Sequence, residues 1–174
     1  LFAFALVIWT AAAARAALGA TFVVTSAADT GHGYAAGTCP DPCTLRDALL
    51  AANSLPGPDT IAFAIPGAGP HTIAPLTPLP DITSTVTVDG YTQPGASPNT
   101  LAIGNDAVLL VELSGQAGGE VAPNGLWFKG GSEGSTVRGL AINDFAHDGV
   151  IVEGASGVTL TGNFIGVDPA GTGR

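Results

Sequence analysis

Five short β-rich runs return along this chain at a nearly constant spacing, and that spacing limits what it can fold into. They are Thr60–Ile65, Thr85–Val88, Val108–Leu113, Thr136–Ile142 and Val158–Ile165, separated by Gly, Pro, Asn and Asp. Taking Phe63, Val88, Leu113, Val137 and Leu160 as reference points, the intervals are 25, 25, 24 and 23 residues. A second series lies between them: Asn124–Phe128 and Asp148–Val152 stand 24 residues apart. A period of this length marks a repeat architecture, in which each unit stacks on its neighbour. The last two units align best, Val137–Ile142 on Leu160–Ile165 at an offset of 23. Each unit carries Asn-Gly or Asp-Gly, a short apolar strand, a Gly/Ser turn and a second strand with a central Gly. Gly and Asn tolerate the positive φ that tight corners demand. Alternate side chains would then point inward and stack along an axis. The spacing therefore predicts an all-β fold: a right-handed parallel β-helix (solenoid) with one short N-terminal capping α-helix. Leucine-rich repeats have a similar length, but the L-x-x-L-x-L-x-x-N frame is missing. A β-sandwich also yields many short strands, and the fixed interval argues against it.

The capping helix is read at residues 44–53. Leu45, Ala48, Leu49 and Ala52 fall at i, i+3, i+4, i+7 and make one apolar stripe. Thr44 suits the N-cap, and Asp47 stands where a capping box needs its acid. Asn53 and Pro56-Gly57-Pro58 end it. So short a helix is marginal alone, so its stripe is expected to cover the open N-terminal end of the stack. On the C-terminal side the pattern stops in mid-unit, and further coils of the same chain are expected beyond it.

The first twenty residues read differently. Leu1–Ala14 is almost wholly apolar, yet shorter than the roughly 20 residues of a spanning helix. Ala14-Arg15-Ala16 has the small-x-small form of a signal-peptidase site, and Ala20 offers a second cut. The expected division is a signal peptide lacking its beginning at 1–20, an N-terminal cap at 21–58, and coils at 59–174. A buried helix or a membrane anchor is the competing reading of the apolar start. Export suits the two cysteines, Cys39 and Cys43, which in an oxidising compartment read as a structural disulfide. Metal binding competes, but zinc usually takes four ligands, and only His32 lies near.

Composition excludes some partners. Fourteen acids against five basic residues give a formal net charge of −9. Such a surface repels nucleic acid and anionic lipid heads. With 46% hydrophobic and 11% charged residues, the chain is not of the disordered class.

Cys43-Thr44-Leu45-Arg46-Asp47-Ala48 resembles the C-S-L-R-E-A signature of the CSLREA domain, an N-terminal module of bacterial exported proteins. Thr stands for Ser and Asp for Glu. The flanks resemble it too: Thr21–Ser26 with Ala28-Asp29-Thr30 before, Ala51-Ala52-Asn53 and Asp59–Phe63 after. Val88–Gly95 and Gly162–Gly166 resemble the stretches that commonly follow the module. The resemblance spans about residues 21–170. It implies a pectin-lyase-like parallel β-helix that is secreted or on the cell surface, and it carries over no catalytic residues.

No catalytic set emerges from the residues. A lyase would need acids holding Ca²⁺ and a basic residue; the candidates are Asp144, Asp148 and Glu153, with Arg138 as base. Turn chemistry at the Asn143–Gly149 corner already accounts for Asp144 and Asp148. His147 has no assigned partner. Arg46 is expected on a nearby carbonyl or on Asp47. Trp127 faces either outward, for sugar stacking, or into the core. Two functions remain: a non-catalytic exported scaffold, adhesin-like or glycan-binding, with no cofactor; or a carbohydrate-active enzyme, lyase or glycosidase, whose site lies on coils outside this sequence.

Overall fold

The structure is a computed structural model that describes residues 18–31, 36–117, 120–121 and 124–173. The expected signal segment lies outside the described residues except for Leu18, Gly19 and Ala20, and His32 also lies outside them.

The chain opens with strand β1 (Thr21–Val24) and helix α1 (Leu45–Asn53), followed by β2 (Asp59–Phe63), β3 (His71–Ile73) and β4 (Val86–Asp89). A 3-10 turn at Gly90–Thr92 leads towards β5 (Val111–Ser114), β6 (Gln116–Ala117) and β7 (Glu120–Val121). The remaining strands are β8 (Leu126–Phe128), β9 (Thr136–Arg138), β10 (Leu140–Asn143), β11 (Val150–Val152), β12 (Thr159–Thr161) and β13 (Phe164–Ile165). Three sheets are parallel: five strands in the order β1-β2-β4-β9-β12, four in the order β13-β10-β5-β3, and the pair β11-β8. The short β6-β7 pair is antiparallel.

Register in the five-stranded sheet sorts side chains into columns. Phe22, Ile61, Val88, Val137 and Leu160 stand opposite one another, and all but Leu160 are buried. Their neighbours on the other face form a column of five threonines: Thr21, Thr60, Thr87, Thr136 and Thr159. β-branched residues suit such half-exposed pleated surfaces. The four-stranded sheet stacks Ile73, Leu113, Ile142 and Ile165 in the same way. Buried residues from all three parallel sheets and from α1 form one hydrophobic cluster, running from Phe22 to Ile142. β1, within the expected cap, pairs with β2, within the expected coils, so both segments share this core.

Helix α1 forms where the pattern places it. The Thr44 hydroxyl accepts from the Asp47 amide at 3.2 Å, and the Asp47 carboxylate accepts from the Thr44 amide at 3.4 Å and its hydroxyl at 2.6 Å. The capping box is therefore complete. Leu45, Ala48, Leu49 and Ala52 are buried, and the helix packs on β1 and β2.

The expected all-β right-handed parallel β-helix of evenly repeating coils is corrected. The fold is α/β-like: short, mostly parallel strands in three sheets, with one helix. The evenly spaced reference residues do not share a sheet. Leu113 lies in the four-stranded sheet, while Val88 and Val137 pair directly in the five-stranded one. Phe63 pairs with Val24, and Ile61 takes the place opposite Val88. The paired threonines Thr21, Thr60, Thr87, Thr136 and Thr159 are 39, 27, 49 and 23 residues apart in turn. Strand propensity marks the runs but is blind to which edge each one joins. Between β4 and β9 the chain makes an exposed excursion closed by the Ser97–Val108 bridge, and then the β6-β7 pair. Only the last offsets coincide with the pairing: 24 for β8-β11, 23 for β9-β12 and β10-β13. Among the described residues no helix is long and apolar enough to cross a membrane.

Candidate functional site at Trp127

Strand β8 carries Leu126 and Phe128 into the core, so the intervening Trp127 points to the other face and is half-buried. Lys129, two residues further on, shares that face. Its ammonium lies 3.9 Å from the centroid of the Trp127 ring. A cation over an indole is worth about 0.5–1 kcal/mol at an exposed site.

Two carboxylates hold the lysine there. Asp81 lies 3.6 Å and Glu153 3.4 Å from its Nζ. All three side chains are substantially exposed, so the ion pairs add little stability; their effect is to orient the ammonium. Backbone bonds bring the three charges together. The Ile82 amide donates to the Trp127 carbonyl at 2.7 Å, and the Lys129 amide donates to the Ile82 carbonyl at 2.9 Å. The Glu153 amide donates to the Phe128 carbonyl at 2.8 Å. Asn53, in the last turn of α1, clamps the Asp81 segment: its amide donates to the Asp81 carbonyl at 2.6 Å, and its carbonyl accepts from the Thr83 amide at 2.8 Å.

Beside this cluster lies a cleft of about 190 Å³, lined by Pro78, Leu79, Asp81, Asn124, Gly125 and Trp127. The Trp127 indole N–H is inaccessible to solvent and has no hydrogen-bond partner. Buried donors of this kind are uncommon, and Tyr and Trp usually find a partner for their polar end. The cleft thus combines an aromatic face, a carboxylate, an amide and an apolar wall.

The CTLRDA residues support this cleft from behind. Arg46 pairs with Asp29 through two bonds of 2.9 Å and donates to the carbonyls of Thr77 and Pro78 at 2.8 Å. Asp29 also accepts from the Leu76 amide at 2.8 Å. Arg46 is therefore bound to carbonyls and to Asp29, and it fixes the segment that forms the cleft wall. Cys39 and Cys43 form a disulfide with Cα atoms 5.4 Å apart. Cys43, Leu45 and Ala48 are buried, while Thr44 and Asp47 cap α1. A larger open cleft of about 640 Å³ runs along β1 beside the disulfide loop, and among the described residues Asp41 is the one ionisable group lining it.

The residues proposed for lyase chemistry do not come together. Arg138 donates to Asp89 at 2.6 Å, and this contact raises the guanidinium pKa further. Tyr91 lies beside the pair, donating to the Gly162 carbonyl at 2.7 Å. Burial, and then the charge of Asp89, raises its phenol pKa. Asp144 occupies the left-handed region at φ 58° and accepts from the Ser114 hydroxyl at 3.4 Å. It lines a shallow cleft with Phe145 and His147. Asp148 is exposed in the following turn, where its amide donates to Asn124 at 3.4 Å. Glu153 belongs to the Trp127 cluster instead. Among the described residues no three His, Cys, Asp or Glu side chains are grouped to hold a metal ion.

Sequence reasoning singled out Trp127 but missed Lys129, Asp81, Asn124 and Asn53. One signal was available: Trp127-Phe128-Lys129 has strand spacing, which sets the chain's one lysine on the tryptophan's face. Asp81 and Asn53 reach the site through tertiary contacts that no local pattern encodes. No family model, curated protein or solved structure matches the chain.

Proposed function

We propose that this chain is a non-catalytic exported protein of the cell surface or exterior, and that the Trp127 cleft is its contact site for a glycan. The observation that carries the reading is the half-buried tryptophan set in a cleft with Asp81 and Asn124. Sugars present apolar C–H faces that stack on aromatic rings, and hydroxyls that both donate and accept. Asp81 accepts from hydroxyls, and Asn124 both donates and accepts. The net charge of −9 favours a neutral glycan over a polyanionic one. Export is supported by the apolar start of the chain, by the disulfide as a mark of an oxidising compartment, and by the resemblance to CSLREA modules.

Titration calorimetry against a panel of neutral oligosaccharides tests the glycan contact. Binding is expected in the wild type, with a loss of tenfold or more, about 1.4 kcal/mol, in Trp127→Ala. If no panel member binds, or if Trp127→Ala binds as well as wild type, the reading fails.

A further inference from the structure

We infer that the chain is cut between Gly19 and Ala20, and that the buried carboxylate of Asp59 is the receptor for the new α-ammonium. The inference rests on the export reading above. It begins with a misfit in the core. Asp59 is the first residue of β2, and the strand's alternation turns its side chain to the core face with Ile61 and Phe63. It stands opposite Val86 and is 1% exposed. No ion pair reaches it among the described residues. One oxygen, Oδ1, accepts from the Ala20 amide at 2.7 Å, and the other, Oδ2, is buried without any partner. A buried carboxylate with half its acceptors unmet and no counter-charge is strongly unfavourable.

The atom already nearest the carboxylate is the Ala20 nitrogen. Hydrolysis of the Gly19–Ala20 bond would change that atom's chemistry in place. Water's oxygen forms the new bond to the Gly19 carbonyl carbon, and the C–N bond breaks. Gly19 leaves as a carboxylate, and the nitrogen takes up protons to become –NH₃⁺. The single neutral N–H becomes three donors carrying a positive charge, which is what Asp59 lacks. The co-reactant is a leader peptidase of the exporting membrane. Ala17-Leu18-Gly19 has the small-x-small form such enzymes read.

The neighbouring bonds select this position over the other two. The Ala20 carbonyl accepts from the Thr60 amide at 2.8 Å, extending the β1-β2 ladder by one rung. A cut after Ala20 would remove that rung and the Asp59 contact together. A cut after Ala16 would leave an amide at Ala20 and place the ammonium three residues away. Leu18, on the N-terminal side of the cut, is 95% exposed. The consequence is a fold that registers whether its leader has gone. The precursor buries an uncompensated carboxylate, and the processed chain buries an ion pair.

The test expresses the full 174-residue chain in an exporting bacterium, its leader completed in front of Leu1 by an initiator Met and a short basic segment, and determines the N-terminus of the exported product. Ala20 is the expected first residue. A product beginning at Ala17 or Thr21 overturns the inference and leaves export standing, whereas a chain that stays in the cytoplasm with its leader sinks both. A second arm compares Asp59→Asn in the exported product and in precursor purified with its leader intact. The substitution is expected to lower the unfolding midpoint of the product and to leave the precursor's unchanged or raised. Equal losses in both would overturn the pairing. Amine labelling gives an independent readout, with Lys129 as internal reference. The α-amine of the folded product is expected to react about tenfold more slowly than in urea, corresponding to a pKa raised by about one unit, and Asp59→Asn is expected to abolish the difference. Equal rates in the wild type would refute it.

Discussion

The two ends of the five-stranded sheet are built from the same parallel ladder, yet they are finished differently. At the β1 end the inner column begins with Phe22, 5% exposed, because α1 lies over β1 and β2 with Leu45, Ala48 and Leu49 turned inward. At the β12 end the same column finishes in Leu160, 42% exposed, and the four-stranded sheet finishes in Ile165, 50% exposed. Val152 closes the β8-β11 pair at 47%. Backbone pairing is of one kind throughout, so the difference lies in side-chain cover. Local stability follows buried apolar contact more than hydrogen-bond count. In the 174-residue chain taken by itself, the β1 end should therefore hold to the global unfolding transition, and the β11–β13 end should open first.

The largest contrast comes from trimming one leucine at each end. Leu49→Ala empties a fully buried site and is expected to cost about 2–5 kcal/mol. Leu160→Ala removes a side chain that solvent already reaches, and is expected to cost less than about 1 kcal/mol. Urea unfolding of both variants measures the contrast, and equal losses would break it. A smaller contrast separates two glycines with positive φ. At Gly139, φ 71°, an added Cβ would come within 2.8 Å of the Tyr91 ring and backbone nitrogen. At Gly166, φ 81°, it would meet nothing. Gly166→Ala therefore carries only the left-handed strain of about 1–2 kcal/mol, and Gly139→Ala is expected to exceed it clearly in thermal unfolding. Similar losses would show that the β13 end is packed more tightly than its exposure indicates.

The smallest effect is expected far from both ends. The Thr100 hydroxyl and amide each donate to Asp106 at 2.6 Å, and these bonds hold its carboxyl pKa below the ordinary carboxylate value. A depressed folded pKa stabilises the loop above the unfolded pKa of about 3.9, and that contribution is lost as pH falls through the folded value. NMR titration should show Asp106 protonating below ordinary aspartates, with β1 and β12 resonances unmoved. If either end shifts with Asp106, the loop is coupled to the sheet and the two ends are not independent.

Much of the β1 end was legible in the sequence, because its signals are local. A heptad-like stripe, a Thr-x-x-Asp box and a closely spaced cysteine pair all act within a few residues of themselves, and α1 lies where they indicate. The strands were legible as runs of β-branched residues, and the offsets of 24 and 23 between the last units coincide with the register. What could not be read was which strands meet. β4 skips 49 residues to pair with β9, and nothing in Thr87 or Thr136 marks that choice. The candidate site divides along the same line. Trp127 stood out by type, and Lys129 was readable from strand spacing. Asp81, Asn53 and the Asp29–Arg46 clamp depend on tertiary placement.

That skipped stretch has a practical consequence. Because Thr87 finds Thr136 by register and not by proximity along the chain, the exposed residues closed off by the Ser97–Val108 bridge can differ in length without shifting a rung of the ladder, while β5 and β8 keep their own pairings. The turn around Ile103, which projects almost fully into solvent, is thus a natural insertion point. Foreign sequence could be carried there on a scaffold whose threonine column would not register its presence.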